Sequence, residues 1–221
     1  MNSRHRFLIA AEFVVVSGVM SILTAPALPT RMATHWNAAG LPDGTMSKPV
    51  ALVLLPAMAA VLLVVFALVP RIDPLRENIA AFRPVYDWFV VVFTVLMAVI
   101  HGDVIAFNLG YELDVTLLVL AAVAGLFYYV GVLLEHAERN WFVGIRTPWT
   151  LSNGDVWDRT HRLGSRLFKL TALVALVGLF FGEYAIYFLV GPALLTAGIT
   201  VVYSYYFYEQ LERDSVPDVT E

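Results

Sequence analysis

Six apolar stretches in this chain are each long enough, or nearly so, to cross a lipid bilayer as a helix. They lie at 7–27, 50–69, 85–107, 115–134, 167–182 and 184–208. A helix rises about 1.5 Å per residue, so about 20 apolar residues cross the roughly 30 Å hydrocarbon core. With 59% hydrophobic and 14% charged residues, the 221-residue chain is too apolar for a water-soluble domain. We predict an all-α polytopic membrane bundle of about six transmembrane helices, forming a single membrane domain over 1–221.

The ends of two of these spans are open to alternatives. The turn between the last two spans falls at Gly182-Glu183 or at Gly191-Pro192, and we favour the first because Glu183 would otherwise lie in hydrocarbon. The first span, followed by 25–27 (Ala-Pro-Ala), also has features of a cleavable secretory signal. We expect this span to be retained, because it is long for a signal and Glu12 interrupts it.

Lysine and arginine counts predict the orientation, because cytoplasmic loops carry an excess of both. Of the 14 basic residues, only Arg31 and Lys48 fall on one side of the predicted membrane. The remaining ones all fall on the other side, which is therefore the cytoplasmic side. We predict cytoplasmic N and C termini, an extracellular loop at 28–49 and a cytoplasmic loop at 135–166.

The extracellular loop has the composition of an ordered segment. Pro42, Asp43 and Gly44 are typical turn residues, so we predict the turn of the loop there. Trp36 suits the membrane interface, where one end of its ring is apolar and the other is wet. The loop is either a structured connector or a surface that meets an extracellular ligand.

The cytoplasmic loop predicts an amphipathic helix. Thr147 precedes a proline and is therefore expected to be extended, and Ser152 with Asp155 fits a helix N-cap. Two side-chain stripes follow at helical spacing, one aromatic (Trp157, His161, Gly164, Phe168) and one basic (Arg159, Arg162, Arg166). Such a helix would lie flat on anionic headgroups.

Three roles for this cytoplasmic loop remain open: a positive-inside anchor, a docking platform for a cytoplasmic partner, or a phosphate-binding patch. Tryptophan and arginine are enriched at binding hot spots, which favours docking over phosphate capture. The candidate docking residues are Trp141, Arg146, Trp149, Trp157, His161 and Arg162.

Ionisable residues inside the spans are costly and therefore suggest function. Glu12 and Asp87 lie near the cytoplasmic ends, where they reach water or pair with Arg6 and Arg83. His101 and Asp103 approach the outer surface, towards the extracellular loop. These groups could form a polar network, a ligand contact or a metal site, although no metal-binding spacing such as H-E-x-x-H occurs. The candidate outer contact residues are His35, Trp36, Asn37, Asp43, His101 and Asp103.

Three segments carry a resemblance to a known family. Residues 34–44 resemble the signature of an uncharacterised module near the start of SdpI-type membrane proteins. Residues 140–152, continued by 156–157, 160–164 and Arg166, resemble the hallmark of the SdpI immunity family, and 203–206 resemble its last helix.

The resemblance implies a multi-pass protein of a prokaryotic plasma membrane that protects its cell against a secreted, membrane-active peptide toxin. It also implies signalling, in which a transcriptional repressor is held at the membrane when toxin is bound. We accordingly expect the outer loop to meet the toxin and the cytoplasmic loop to bind the partner.

Other classes of function have less support in the sequence. No nucleotide-binding loop, nucleophile elbow or dinucleotide fingerprint occurs, so we predict neither catalytic residues nor a cofactor or metal. A net charge of −4 with scattered charges disfavours direct nucleic-acid binding. The alternatives are a small transporter or channel component and, with less support, a metal-dependent membrane enzyme that uses the outer histidine and aspartate residues.

Overall fold

In the computed structural model, which describes residues 1–215, the protein is a bundle of long helices with one small β-hairpin. The long helices are α1 (Ser3–Thr24), α2 (Lys48–Ile72), α4 (Arg83–Asn108), α5 (Val115–His136), α7 (Gly154–Gly178) and α8 (Ala185–Ser215). Two short helices, α3 (Arg76–Ala81) and α6 (Pro148–Ser152), and the strands β1 (Arg31–Trp36) and β2 (Pro42–Ser47) complete the fold. The chain is an all-α polytopic helical bundle, as predicted.

Five helical segments of the described chain are long and apolar enough to cross a membrane. The fifth, Gly154–Asp214, reverses at Gly182, whose backbone angles (φ 56°, ψ −123°) break the helix. Its two legs, α7 and α8, pack against each other, and a side chain at Gly178 would collide with Phe188. This segment therefore consists of two antiparallel helices, and Pro192 lies inside α8.

The two ends of the bundle differ. The hairpin end carries β1 and β2 between α1 and α2, and its core includes Met32, Leu52 and Ile105. The loop end carries the N terminus, α3, α6 and the first turns of α7, and its core includes Ile79, Tyr86 and Trp157. By the charge distribution, the hairpin end is the predicted outer end.

Asp87 is fully buried at the loop end. Of the two alternatives from the sequence, contact with water or pairing with arginine, the structure shows pairing. Its carboxylate contacts Arg83 at 2.6 Å and Arg6 at 3.7 Å and accepts a hydrogen bond from the Ser3 hydroxyl. A buried charge requires such partners, because an unpaired one would be very costly. These contacts fasten the start of α1 to α4. Glu12, in contrast, lies exposed on α1.

Three local expectations were wrong. Residues 42–44 belong to β2, and the hairpin turns at 37–41 instead, where Gly40 adopts a positive φ of 76°. Ser152 ends α6, while Asn153 caps α7 by accepting hydrogen bonds from the amides of Asp155 and Val156. The aromatic stripe of α7 faces the protein interior, not headgroups, because the preceding loop folds over it.

Candidate functional site

A lateral cleft between α2 and α5 is the main candidate site, and the two motif-bearing segments lie at its two ends. Both helices pack on α4, which forms the floor, but within residues 1–215 they do not pack closely on each other. The hairpin covers one end of the cleft, and the segment 142–145 covers the other. The resemblance in sequence thus converges on one structural feature.

The hairpin is held by main-chain pairing between its strands and by side-chain hydrogen bonds to main-chain groups of its turn. Strands β1 and β2 pair antiparallel, with Met32 opposite Met46 and Ala33 opposite Thr45. In the turn, the Asn37 side-chain oxygen accepts hydrogen bonds from the amides of Ala39 at 3.0 Å and Leu41 at 3.1 Å. Asn37 therefore shapes the turn, so its side chain is not a free contact group.

Asn108, at the end of α4, binds the open edge of β1. Its side-chain oxygen accepts a hydrogen bond from the Ala33 amide at 2.8 Å, and its side-chain nitrogen donates to the Ala33 carbonyl at 2.9 Å. On the other side, Lys48 donates to the carbonyls of Ala25 and Leu28, both at 2.9 Å. The hairpin is thus fixed to the helix ends beneath it.

His35 and Asp43 form the polar upper face of the hairpin. His35 Nδ1 lies 2.5 Å from an Asp43 carboxylate oxygen, and the two side chains are 72% and 44% exposed. Trp36 points the other way and meets Phe107 edge to face, with 5.1 Å between ring centroids. Of the candidate outer residues, His35 and Asp43 are therefore the accessible ones.

Beneath the hairpin lies an apolar cavity of about 350 Å³, named here the hairpin chamber. Its roof is formed by Thr34, His35, Trp36 and Met46. Its walls come from α2, α4, α5 and the first turn of α8, and include Leu54, Leu55, Ile100, Val119, Leu120 and Ile186. The chamber can take an apolar group that enters from the side.

A second apolar cavity, of about 440 Å³, occupies the opposite half of the cleft. Phe66 and Val69 of α2, Phe89 of α4 and Leu133 of α5 contribute to its walls. The segment 142–145 closes its loop end, so part of the second motif-bearing segment lines the cleft directly.

The loop segment is held by two buried polar side chains that hydropathy alone does not reveal. Asn140 is fully buried, and its side-chain oxygen accepts from the amides of Phe142 at 2.9 Å and Val143 at 2.6 Å. Asp73, 2% exposed after α2, accepts from the amides of Leu75 at 2.6 Å and Trp141 at 2.9 Å. Asp73 was not among the candidate residues of the sequence analysis. The only feature of the sequence that could have indicated its role is its position between the end of an apolar span and a proline.

His161 and Trp157 are buried parts of this scaffold, 2% and 1% exposed. Their rings stack at 3.9 Å, and the Trp157 indole N–H donates to the Ala137 carbonyl at 2.7 Å. His161 donates from Nδ1 to the Trp157 carbonyl and accepts at Nε2 from the Ile145 amide at 3.0 Å. Burial lowers the pKa of His161, which precedes the apolar part of α7, to about 4, so the ring is neutral at pH 7.

The other candidate docking residues lie nearer the surface. Trp141 is 49% exposed, and Arg146 and Arg162 are exposed as well. Trp149 is half-buried against Tyr205, with 5.0 Å between ring centroids. The exposed subset of the sequence candidates is therefore Trp141, Arg146 and Arg162.

His101 and Asp103 do not join the exposed hairpin residues. His101 is fully buried, and its Nε2 lies 2.7 Å from the Ser21 hydroxyl, which also donates to the Leu52 carbonyl. Asp103 is partly buried in the same turn of α4. Over residues 1–215, the structure brings no group of three histidine, aspartate or glutamate side chains together as a metal site.

Comparisons with known proteins match both motif-bearing segments of the sequence. The SdpI/YfhL protein family model matches residues 136–204, and a domain of unknown function (DUF1648) matches 13–60. The chain is 25% identical over 206 residues to the protein named Immunity protein SdpI of Bacillus subtilis (strain 168), covering 92% of this chain and 96% of that relative. No solved structure gives a significant match. The first match contains the segment that closes the loop end of the cleft, the second contains the hairpin, and the chain is similar to Immunity protein SdpI along nearly its whole length.

Proposed function

We propose that this protein is an SdpI-like immunity protein of the prokaryotic plasma membrane, which protects its cell against a secreted membrane-active peptide without catalysis. The observation that carries the proposal is the alignment with Immunity protein SdpI over 92% of the chain. The alignment includes the hairpin and the loop that bound the cleft, which is why the function is assigned to them.

The hairpin supplies the contact surface for the extracellular agent. His35 and Asp43 present an exposed, hydrogen-bonded pair of side chains on the hairpin. Polar groups of a membrane-active peptide can bind this pair. His101, being fully buried, supports the hairpin end from within and makes no contact with the peptide.

The loop end supplies the surface for a cytoplasmic partner, such as a transcriptional repressor. Trp141 and Arg146 extend from the segment that closes the cleft, and Arg162 lies exposed on α7. Exposed tryptophan and arginine are favourable anchors for a protein partner. Trp157 and His161 maintain the shape of this surface and do not touch the partner.

The immunity function is tested by survival of toxin-sensitive cells that produce the protein, challenged with the peptides secreted by the toxin producer. We expect more survivors than in cells that lack the protein. Equal survival with and without the protein, at verified membrane abundance, would refute the proposal.

The orientation is tested independently of toxin, because the chain contains no cysteine. Asp43→Cys and Arg162→Cys each introduce a single reactive thiol on an exposed position at opposite ends of the bundle. A membrane-impermeant maleimide should label Asp43→Cys in intact cells and Arg162→Cys only after lysis. The reverse pattern would place the hairpin inside and remove it as a toxin contact.

A further inference from the structure

We infer that the hairpin chamber is a binding site for one phospholipid, with an acyl chain inside the chamber and the headgroup beside the hairpin. The inference goes beyond the proposed immunity function and does not depend on it. Three features of the chamber carry it: its size, its gradient of polarity and a hydrogen-bond donor without a partner.

The size of the chamber favours a thin chain over a helix. A helix with its side chains is about 10 Å wide, so about 350 Å³ holds only about one turn of it. The volume nevertheless lies within the roughly 300–1,000 Å³ that is usual for small-molecule sites. An unbranched acyl chain is thin enough to enter this volume, whereas a membrane-inserted helical peptide is too wide.

The polarity of the lining changes along the chamber as a lipid requires. The polar residues Thr34, His35 and Thr116 lie at the hairpin end, Thr116 in the first turn of α5. One to two turns into α2, α4 and α5 the lining is aliphatic, and it includes Leu54, Ile100 and Val119. An amphiphile would thus place its head at the hairpin and its chain towards the middle of the membrane.

Trp36 provides the specific contact. Its indole nitrogen is buried and makes no hydrogen bond with any described residue, although its ring lines the chamber. A buried donor without an acceptor is unfavourable, so a bound group with a carbonyl oxygen is expected there. The ester carbonyl of a phospholipid lies between headgroup and acyl chain and is an acceptor suited to the Trp36 indole N–H.

The cleft also gives a lipid direct access. Since α2 and α5 pack on α4 but, within the described chain, not closely on each other, the chamber is bounded by two helices that leave a lateral gap. A lipid of the leaflet on the hairpin side could enter from the bilayer by this route.

The test is native mass spectrometry of the whole protein in mild detergent with added dioleoylphosphatidylglycerol. We compare wild type with Val119→Phe, which fills the chamber, and with Leu118→Phe, a matched change on the 41%-exposed neighbouring face of α5. Wild type and Leu118→Phe should retain one phospholipid per chain, and Val119→Phe should lose it. Trp36→Phe should weaken retention about 2- to 10-fold, the effect of one lost hydrogen bond.

Thermal unfolding of each variant shows whether the chain still folds, and Trp36→Phe keeps the test decisive if Val119→Phe does not. Equal lipid retention by wild type and all folded chamber variants would overturn the inference. Wild type without bound phospholipid would do the same, and so would retention of the secreted peptide in the chamber in place of lipid.

Discussion

The Asp73 carboxylate accepts a hydrogen bond from the main-chain amide of Trp141 at 2.9 Å, joining the end of α2 to the loop that closes the cleft. Helix α2 begins directly after β2, so one continuous helix connects the hairpin with Asp73. The two motif-bearing segments are therefore attached to the two ends of the same helix. The hairpin and the loop are thus connected through α2.

Asp73→Asn should destabilise the loop end. The amide nitrogen that replaces one carboxylate oxygen cannot accept from Trp141 or Leu75, which leaves a buried N–H unpaired and costs about 1–3 kcal/mol. Denaturant unfolding in detergent measures the loss. Asp158→Asn, on the exposed side of α7, is the control and should change the free energy of unfolding by less than about 0.5 kcal/mol. Equal free energies of unfolding for the two variants would show that the Asp73–Trp141 hydrogen bond does not stabilise the loop end.

Gly144→Ala should be more damaging than an ordinary glycine substitution. Gly144 has a φ of 122°, and an added Cβ would lie 2.3 Å from His161 Nε2. The loop must then move away from His161, so we expect a loss of about 2–4 kcal/mol or a failure to accumulate. Gly154→Ala is the matched control, because its Cβ would meet nothing within 4 Å. Thermal melting of the two variants checks the difference, and similar melting would be evidence against the close contact.

Acid should weaken the protein through His161. Its pKa is lowered by burial to about 4, from 6.5 in the unfolded chain, so only the unfolded state gains a proton between those values. The contribution of the buried, neutral His161 ring to the free energy of unfolding is complete above about pH 6.5. It falls as the pH falls to about 4, and it amounts to about 3 kcal/mol at most. Unfolding free energies of wild type and His161→Gln over this range give the difference. A wild-type profile parallel to that of His161→Gln would contradict the assignment.

Asn108→Ala should loosen the hairpin while the bundle remains folded. The change removes both hydrogen bonds to Ala33 and opens the edge of β1, at a local cost of about 1–3 kcal/mol. Hydrogen exchange of residues 31–47 should accelerate, and exchange in α7 should not. Asn108→Asp keeps the acceptor for the Ala33 amide but places a carboxylate oxygen against the Ala33 and Val104 carbonyls, so it should also accelerate exchange. Unchanged exchange in Asn108→Ala would show that the hairpin is held by other contacts.

Hydropathy and helix-breaking residues were sufficient to predict the bundle and favoured Gly182 for the last reversal, because both depend on local sequence. The hairpin was missed, since its strands are six residues long and β2 contains Pro42 and Gly44, which are uncommon in strands. Pro42-Asp43-Gly44 consequently looked like the turn, although the turn is built by Asn37 and Gly40.

The site was predictable only in part, because its parts come from distant segments. Periodicity placed Trp157 and His161 on one face of α7, but it could not show that Gly144 and Ile145 cover that face. The cleft itself depends on α2 and α5, which are separated in sequence by α3 and α4. Motif resemblance marked both ends of the cleft without indicating that one cleft joins them.

The most direct test of the account is survival under challenge by the producer's secreted peptides, comparing wild type, His35→Ala and Arg162→Ala at equal membrane abundance. His35 and Arg162 are exposed at opposite ends of the bundle, so neither change should unfold it. The account predicts full protection by wild type and Arg162→Ala and at least about a 10-fold loss of survivors for His35→Ala, as for a contact worth 1.4 kcal/mol. Undiminished protection by His35→Ala would contradict a role for the hairpin as the toxin contact.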